Sequence, residues 1–114
     1  MKIVQESIAI DELRQMSEKM FGQMVKAVVD IEQGIMVVDA PLHVDEELLL
    51  LEEGSQQTNL WGINLHPAQF PHEDWVEFDS MINLRPSWGN KTRGVDDAEV
   101  RKSILAIVAR LVKP

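Results

Sequence analysis

Leu60-Trp-Gly-Ile-Asn-Leu65 alternates apolar with small or polar residues, and Val76-Glu-Phe-Asp-Ser-Met-Ile-Asn-Leu-Arg85 does the same over ten positions. A period of two is the signature of strands whose faces differ. Trp61, Ile63 and Leu65 share one face of the first segment, opposite Gly62, Asn64 and His66, and Pro67 stops it. In the second, Val76, Phe78, Ser80, Ile82 and Leu84 lie opposite Glu77, Asp79, Met81, Asn83 and Arg85. The spacing predicts two strands.

Ala27-Val-Val-Asp-Ile31 and Ile35-Met-Val-Val-Asp39 are β-branched runs joined by Glu32-Gln33-Gly34, with glycine where a left-handed residue is needed, so they predict a hairpin ended by Pro41. Between Ile10 and Val25 the period changes: Leu13, Met16, Met20 and Met24, with Phe21 beside them, recur at three- and four-residue steps against Arg14, Gln15, Glu18 and Lys19. That is an amphipathic helix whose methionine stripe faces a core. Asp45 to Glu53 reads as a short helix rather than a strand of four leucines, with Asp45 as N-cap and Gly54 after its end. Asp96-Asp-Ala-Glu99 reads as a capping box before a helix with stripe Val100, Ile104, Ile107, Val108 and Leu111. Ile3 and Val4 add a short opening strand. The order strand, helix, hairpin, helix, two strands, helix defines an α+β fold over residues 1–114 as one domain. Its sheet is antiparallel or mixed, of four or five strands, with the two long helices packed on one face and one short helix besides.

Composition narrows the function classes. The 114 residues carry a net charge of −8 and no cysteine. A chain so acidic repels nucleic-acid phosphate and anionic lipid over most of its surface, which argues against a nucleic-acid or membrane partner. Without cysteine there is neither a disulfide nor a thiolate ligand or nucleophile. The longest apolar run is far too short to span a bilayer and the first thirty residues lack a signal-type apolar block, so the expected location is the cytoplasm.

The charges are segregated. From Ala27 to Leu84 the chain has twelve acids, all three histidines and neither Lys nor Arg, whereas Arg85 to Gly94 carries three bases and no acid. The boundary loop is therefore the candidate site for a small anionic ligand. Gly89 lets backbone amides approach, Arg85 and Arg93 offer forked donors, Lys91 adds a point charge, and Ser87 and Asn90 add neutral donors. If the two alternating segments pair antiparallel, Asn64, His66, Glu77 and Asp79 join Arg85 on one face. Asp96 and Asp97 exclude an anion from the following helix start and confine it to the loop. The competing account has Arg85 and Arg93 pairing with Glu77, Asp79 or Glu52 to pin the loop, and the polar face simply wet.

Other chemistry is poorly supported. His43, His66 and His72 with Asp39, Asp45, Asp74 or Asp79 supply ligand types without a metal-binding spacing, and no cofactor is called for. Ser80 has no nucleophile turn around it. Trp88, apolar in a polar loop, is a lid, a plug or a contact in a homodimer. The reading is thus non-catalytic binding of a small anion at residues 85–94; the alternative is a protein-interaction or homo-oligomerisation module using Trp88; a small acid/base or metal-assisted enzyme comes third.

Leu60-Trp-Gly-Ile-Asn-Leu65 and Glu77-Phe-Asp-Ser-Met-Ile-Asn-Leu-Arg-Pro-Ser-Trp-Gly-Asn-Lys-Thr-Arg-Gly-Val95, following the helix and hairpin, resemble a family of small prokaryotic proteins with a domain of unknown function. The resemblance runs through nearly the whole chain. It implies a single-domain prokaryotic protein and brings no activity, cofactor or catalytic residue.

Overall fold

The hairpin organises the sheet. Strands β3 (Val25–Asp30) and β4 (Ile35–Val38) pair antiparallel from Ala27 opposite Val38 to Asp30 opposite Ile35. Their turn is held by Asp30, whose Oδ1 accepts the backbone N–H groups of Glu32 and Gln33, and by Gly34 at a φ of 71°. Strand β1 (Lys2–Val4) adds to β4, and β5 (Leu60–Leu65) and then β6 (Val76–Glu77) add beyond β3, giving the antiparallel order β1-β4-β3-β5-β6. Strand β2 (Ile8–Ala9) pairs in parallel with the terminal β7 (Val112–Lys113) in a separate two-stranded sheet. The structure, a computed structural model, describes residues 1–20 and 22–114. Phe21, expected on the first helix, lies outside them.

Helices cover both sheet faces, so the architecture is α+β with three layers. Helices α1 (Ile10–Met20) and α3 (Ala98–Leu111) share one core with Ala27, Val29, Met36, Val38, Trp61, Ile63 and Leu65. Helix α2 (His43–Glu52) covers the opposite face, where Leu50 packs with Val28, Val37 and Leu60 and Ile82 closes the edge. All six residues of β5 are therefore buried, and its alternation separates two interiors rather than core from water.

Several local expectations change. The methionine stripe is not core: α1 buries Ile10, Leu13 and Ser17, Met20 is 42 % exposed, and Met16 packs only at the core's margin. Helix α2 starts at His43 with Leu42 at the N-cap, so Asp45 lies inside the first turn and no side chain caps the helix. Its C-terminus follows the expectation: Gly54, at a φ of 101°, lets its own N–H and that of Ser55 reach the carbonyls of Leu51 and Leu50. Asp97 caps α3 through the Glu99 amide, which leaves Asp96 for the preceding loop.

The predicted strand over 76–85 pairs with β5 only at Val76 and Glu77, and Arg85 makes an isolated antiparallel bridge to Asn90. Beyond them the chain turns at Met81–Asn83, and the side-chain amide of Asn83 replaces a neighbouring strand. Asn83 Oδ1 accepts the Gly62 N–H at 2.8 Å, and its Nδ2 donates to the Gly62 carbonyl at 2.9 Å and the Arg93 carbonyl at 3.0 Å. A side chain thus satisfies the backbone edge of β5. Gly62 permits the approach, because a Cβ there would stand 2.6 Å from the Ser80 side chain.

Candidate functional site

The uncapped start of α2 opens into a groove of about 410 Å³ whose far wall is β6 and the chain after it. Leu42, His43 and Val44 form one side, Lys26 and Asn64 the floor, and Glu77, Asp79 and Arg93 the other side. Antiparallel pairing of β5 with β6 sets Asn64 opposite Glu77, as the paired alternation implies, and Asn64 donates to Glu77 Oε1 at 3.0 Å and to the Asp79 carbonyl at 3.2 Å. Its Oδ1 is left buried with no partner among the described residues, on a residue only 4 % exposed. An orphaned buried acceptor is costly unless something fills the site.

Charge around the groove is distributed on the chain's own donors. Glu77 takes the Asn64 amide and, at 3.2 Å, His66 Nε2; these contacts, the Asn64 bond foremost, hold its carboxyl below the usual range. Arg93 donates through Nε to Asp79 at 2.8 Å, and its two Nη nitrogens make no hydrogen bond among the described residues. His43 donates Nε2–H to the Ile63 carbonyl at 2.7 Å, which fixes the tautomer, and burial lowers its pKa so that the ring is neutral at pH 7. Three residues further along the helix, Glu46 is fully buried with neither carboxyl oxygen in a close hydrogen bond among the described residues, and burial pushes its pKa up to about 10, offset only in part by the Ala40 backbone and Lys26. Of the two acids in the first turn, Asp45 and Glu46, the buried Glu46 is therefore uncharged at neutral pH.

The loop at residues 85–94 is arranged differently from a ligand cradle. Arg85 is drawn inward: Nη2 donates to the Leu60 carbonyl at 2.6 Å and lies 3.5 Å from Glu47 Oε2, and its guanidinium stacks 5.0 Å from the Trp61 ring and 5.6 Å from the Trp88 ring. Burial lowers the Arg85 pKa, against which Glu47 acts. Asn90 is the loop's internal brace, donating to the carbonyls of Asn83, Thr92 and Gly94 and accepting the Asp96 N–H. Asp96 turns back to accept the Lys91 N–H at 2.7 Å and the Thr92 hydroxyl, so a carboxylate occupies the amide seat that an anion on the loop would use; those bonds, the Thr92 hydroxyl first, keep its pKa low. The Lys91 side chain, Ser87 and Gly89 face solvent; Trp88 is 54 % exposed.

Of the expected residues, Asn64, Glu77, Asp79 and Arg93 share the groove, His66 touches its rim through Glu77, and Arg85, Ser87 and Trp88 line a second cavity. The two arginines do pair with carboxylates, Arg93 with Asp79 and Arg85 with Glu47. Lys26, Glu46 and Glu47 were not singled out by the pattern, and His43 only as a metal ligand. For the two glutamates the signal is the 3–4 spacing of His43, Glu46, Glu47 and Leu50, which puts polar residues on the buried side once the N-cap moves three residues earlier, from Asp45 to Leu42. No three of His, Asp and Glu gather as a metal set among the described residues. Ser80 is buried against Gly62, and its Oγ accepts the Ile82 amide.

These features define a small α+β protein with a groove of mixed charge beside an uncapped helix start. The chain belongs to the family described as Protein of unknown function (DUF5674), whose model matches residues 2–111. No curated protein and no solved structure matches it.

Proposed function

We propose that the protein binds a small anionic ligand non-catalytically in the groove between the α2 N-terminus and β6, in a cytoplasmic setting. The observation that carries this reading is the α2 start: its first-turn amides have no capping side chain and open beside Lys26 and the Nη side of Arg93. Helix dipole, amide donors and two cations favour negative charge at that point. Glu77 and Asp79 are turned onto donors of the chain, and the Asn64 Oδ1 asks for a hydroxyl or acid O–H on the ligand. Charge complementarity across a homodimer axis is weaker support for an oligomer, because Arg85 and Arg93 already pair within the chain. No described helix is long and apolar enough to cross a membrane.

Thermal melts test the reading. Phosphate at tenfold its Kd stabilises by about 1.4 kcal/mol, a rise of roughly 5 °C for a domain of this size. Phosphate also stabilises proteins by exclusion from their surface, so the discriminating measurement is Arg93→Ala, which keeps the exclusion part and loses the saturable part. Chloride at matched ionic strength controls for screening. A saturable shift that survives in Arg93→Ala contradicts the assignment.

A further inference from the structure

A second cavity, of about 360 Å³, adjoins the anion groove, sharing Met81 and Ile82 as a common wall. Glu47, Arg85, Ser87 and Trp88 line it. Glu47 follows His43 by one turn of α2, which sets the two cavities about 6 Å apart along the helix. The Glu47 and Arg85 side chains are 8 % and 9 % exposed, yet Glu47 Oε2 and Arg85 Nη1 make no hydrogen bond among the described residues. Beneath the cavity lining, Glu47 Oε2 is held only by the long 3.5 Å ion pair to Arg85 Nη2, and Arg85 Nη1 has no acceptor among the described residues, in a pair that is neutral as a whole. Beside them the Trp88 ring meets Arg85 on one side and is otherwise half-exposed.

We infer that the ligand is a mononucleotide, its phosphate at the start of α2 and its base against Trp88 with the pairing edge turned to Arg85 and Glu47. This rests on the anion-binding reading above and names its ligand class. Every nucleobase presents an acceptor beside a donor on its pairing edge and a flat apolar face, which together match an Arg–Glu pair beside an indole. A neutral pair suits an uncharged ring and offers nothing to a second anion. The same logic separates a mononucleotide from a nucleic acid: a net charge of −8 repels a polyanion along the surface, whereas one phosphate meets only the groove.

Calorimetric titration of the full chain with GMP, guanosine and inorganic phosphate tests this. GMP is expected to bind about tenfold tighter than phosphate or more, the margin that stacking one base supplies. Trp88→Ala and Glu47→Gln bring GMP down towards phosphate while phosphate binding stays as in the parent; Trp88→Phe restores most of the margin. Arg93→Ala weakens both ligands. GMP binding no tighter than phosphate overturns the inference and leaves the anion reading standing. A GMP margin that Trp88→Ala and Glu47→Gln both leave intact also overturns it, and absence of binding by either ligand removes both.

Discussion

Glu46→Gln stabilises the protein at neutral pH, and the gain grows as pH rises. The fold keeps a proton on Glu46 up to about pH 10, whereas the unfolded chain releases it near the ordinary value of 4.5. Between those values the native state binds more protons than the unfolded state, so the contribution of Glu46 to stability falls with rising pH. At pH 7 the cost is set by the distance from the ordinary value to the solution pH, not by the upper pKa, and amounts to about 3 kcal/mol. Glutamine keeps the shape and a neutral head group, so it removes that cost and little else. Urea melts of both proteins from pH 5 to 9 should diverge by about 1.4 kcal/mol per pH unit. A constant difference, or a less stable variant at pH 7, would show that the carboxyl is ionised and paired in the fold.

Asn83→Ala has the opposite effect and the largest loss. Its carboxamide occupies a donor and an acceptor of Gly62 and the carbonyl of Arg93, and the residue is fully buried. Truncation leaves the buried N–H and carbonyl of Gly62 without a partner and no strand to take over, while the Arg93 carbonyl keeps the Ser80 N–H, for a loss of about 3 kcal/mol. Asn83→Asp is no better, because a carboxylate faces the two carbonyls without a donor. Gly62→Ala attacks the same seam from the other side by forcing a Cβ onto Ser80, with a cost of about 1–3 kcal/mol. Denaturant midpoints for the three variants check the clamp. A loss below about 1 kcal/mol for Asn83→Ala would mean that water or backbone satisfies Gly62 instead.

The elements legible in the sequence are those set by local chemistry. The hairpin follows from β-branched runs around Gly34, the end of α2 from Gly54, and α3 from its 3–4 stripe, because each signal acts within a few residues. Residues 76–85 show how a correct pattern can mislead. Val76, Phe78, Ser80 and Ile82 do alternate towards the interior, yet Asn83 reaches Gly62, twenty-one positions away, and ends strand pairing with a side chain. The site divides the same way. Pairing of Asn64 with Glu77 followed from alternation, and the charge boundary pointed to Arg93. Lys26 stands just before the base-free stretch, but the register that sets it opposite Asn64 is a tertiary fact. The sequence offers Arg85 as a ligand donor or as a partner for Glu77, Asp79 or Glu52; it pairs with Glu47, which nothing nearby in sequence announces.

The buried, uncharged Glu46 and the groove belong to one account: with Glu46 neutral, Asp45 is the one charged acid left in the first turn of a helix start that stands beside two cations. The most direct test is an amide titration of the nitrogen-15-labelled chain with phosphate at constant ionic strength. The account predicts saturable shifts concentrated at the His43 and Val44 amides and the Arg93 side-chain Nε. Shifts centred instead on the amides of Lys91 and Thr92, or spread evenly as with chloride, would contradict it.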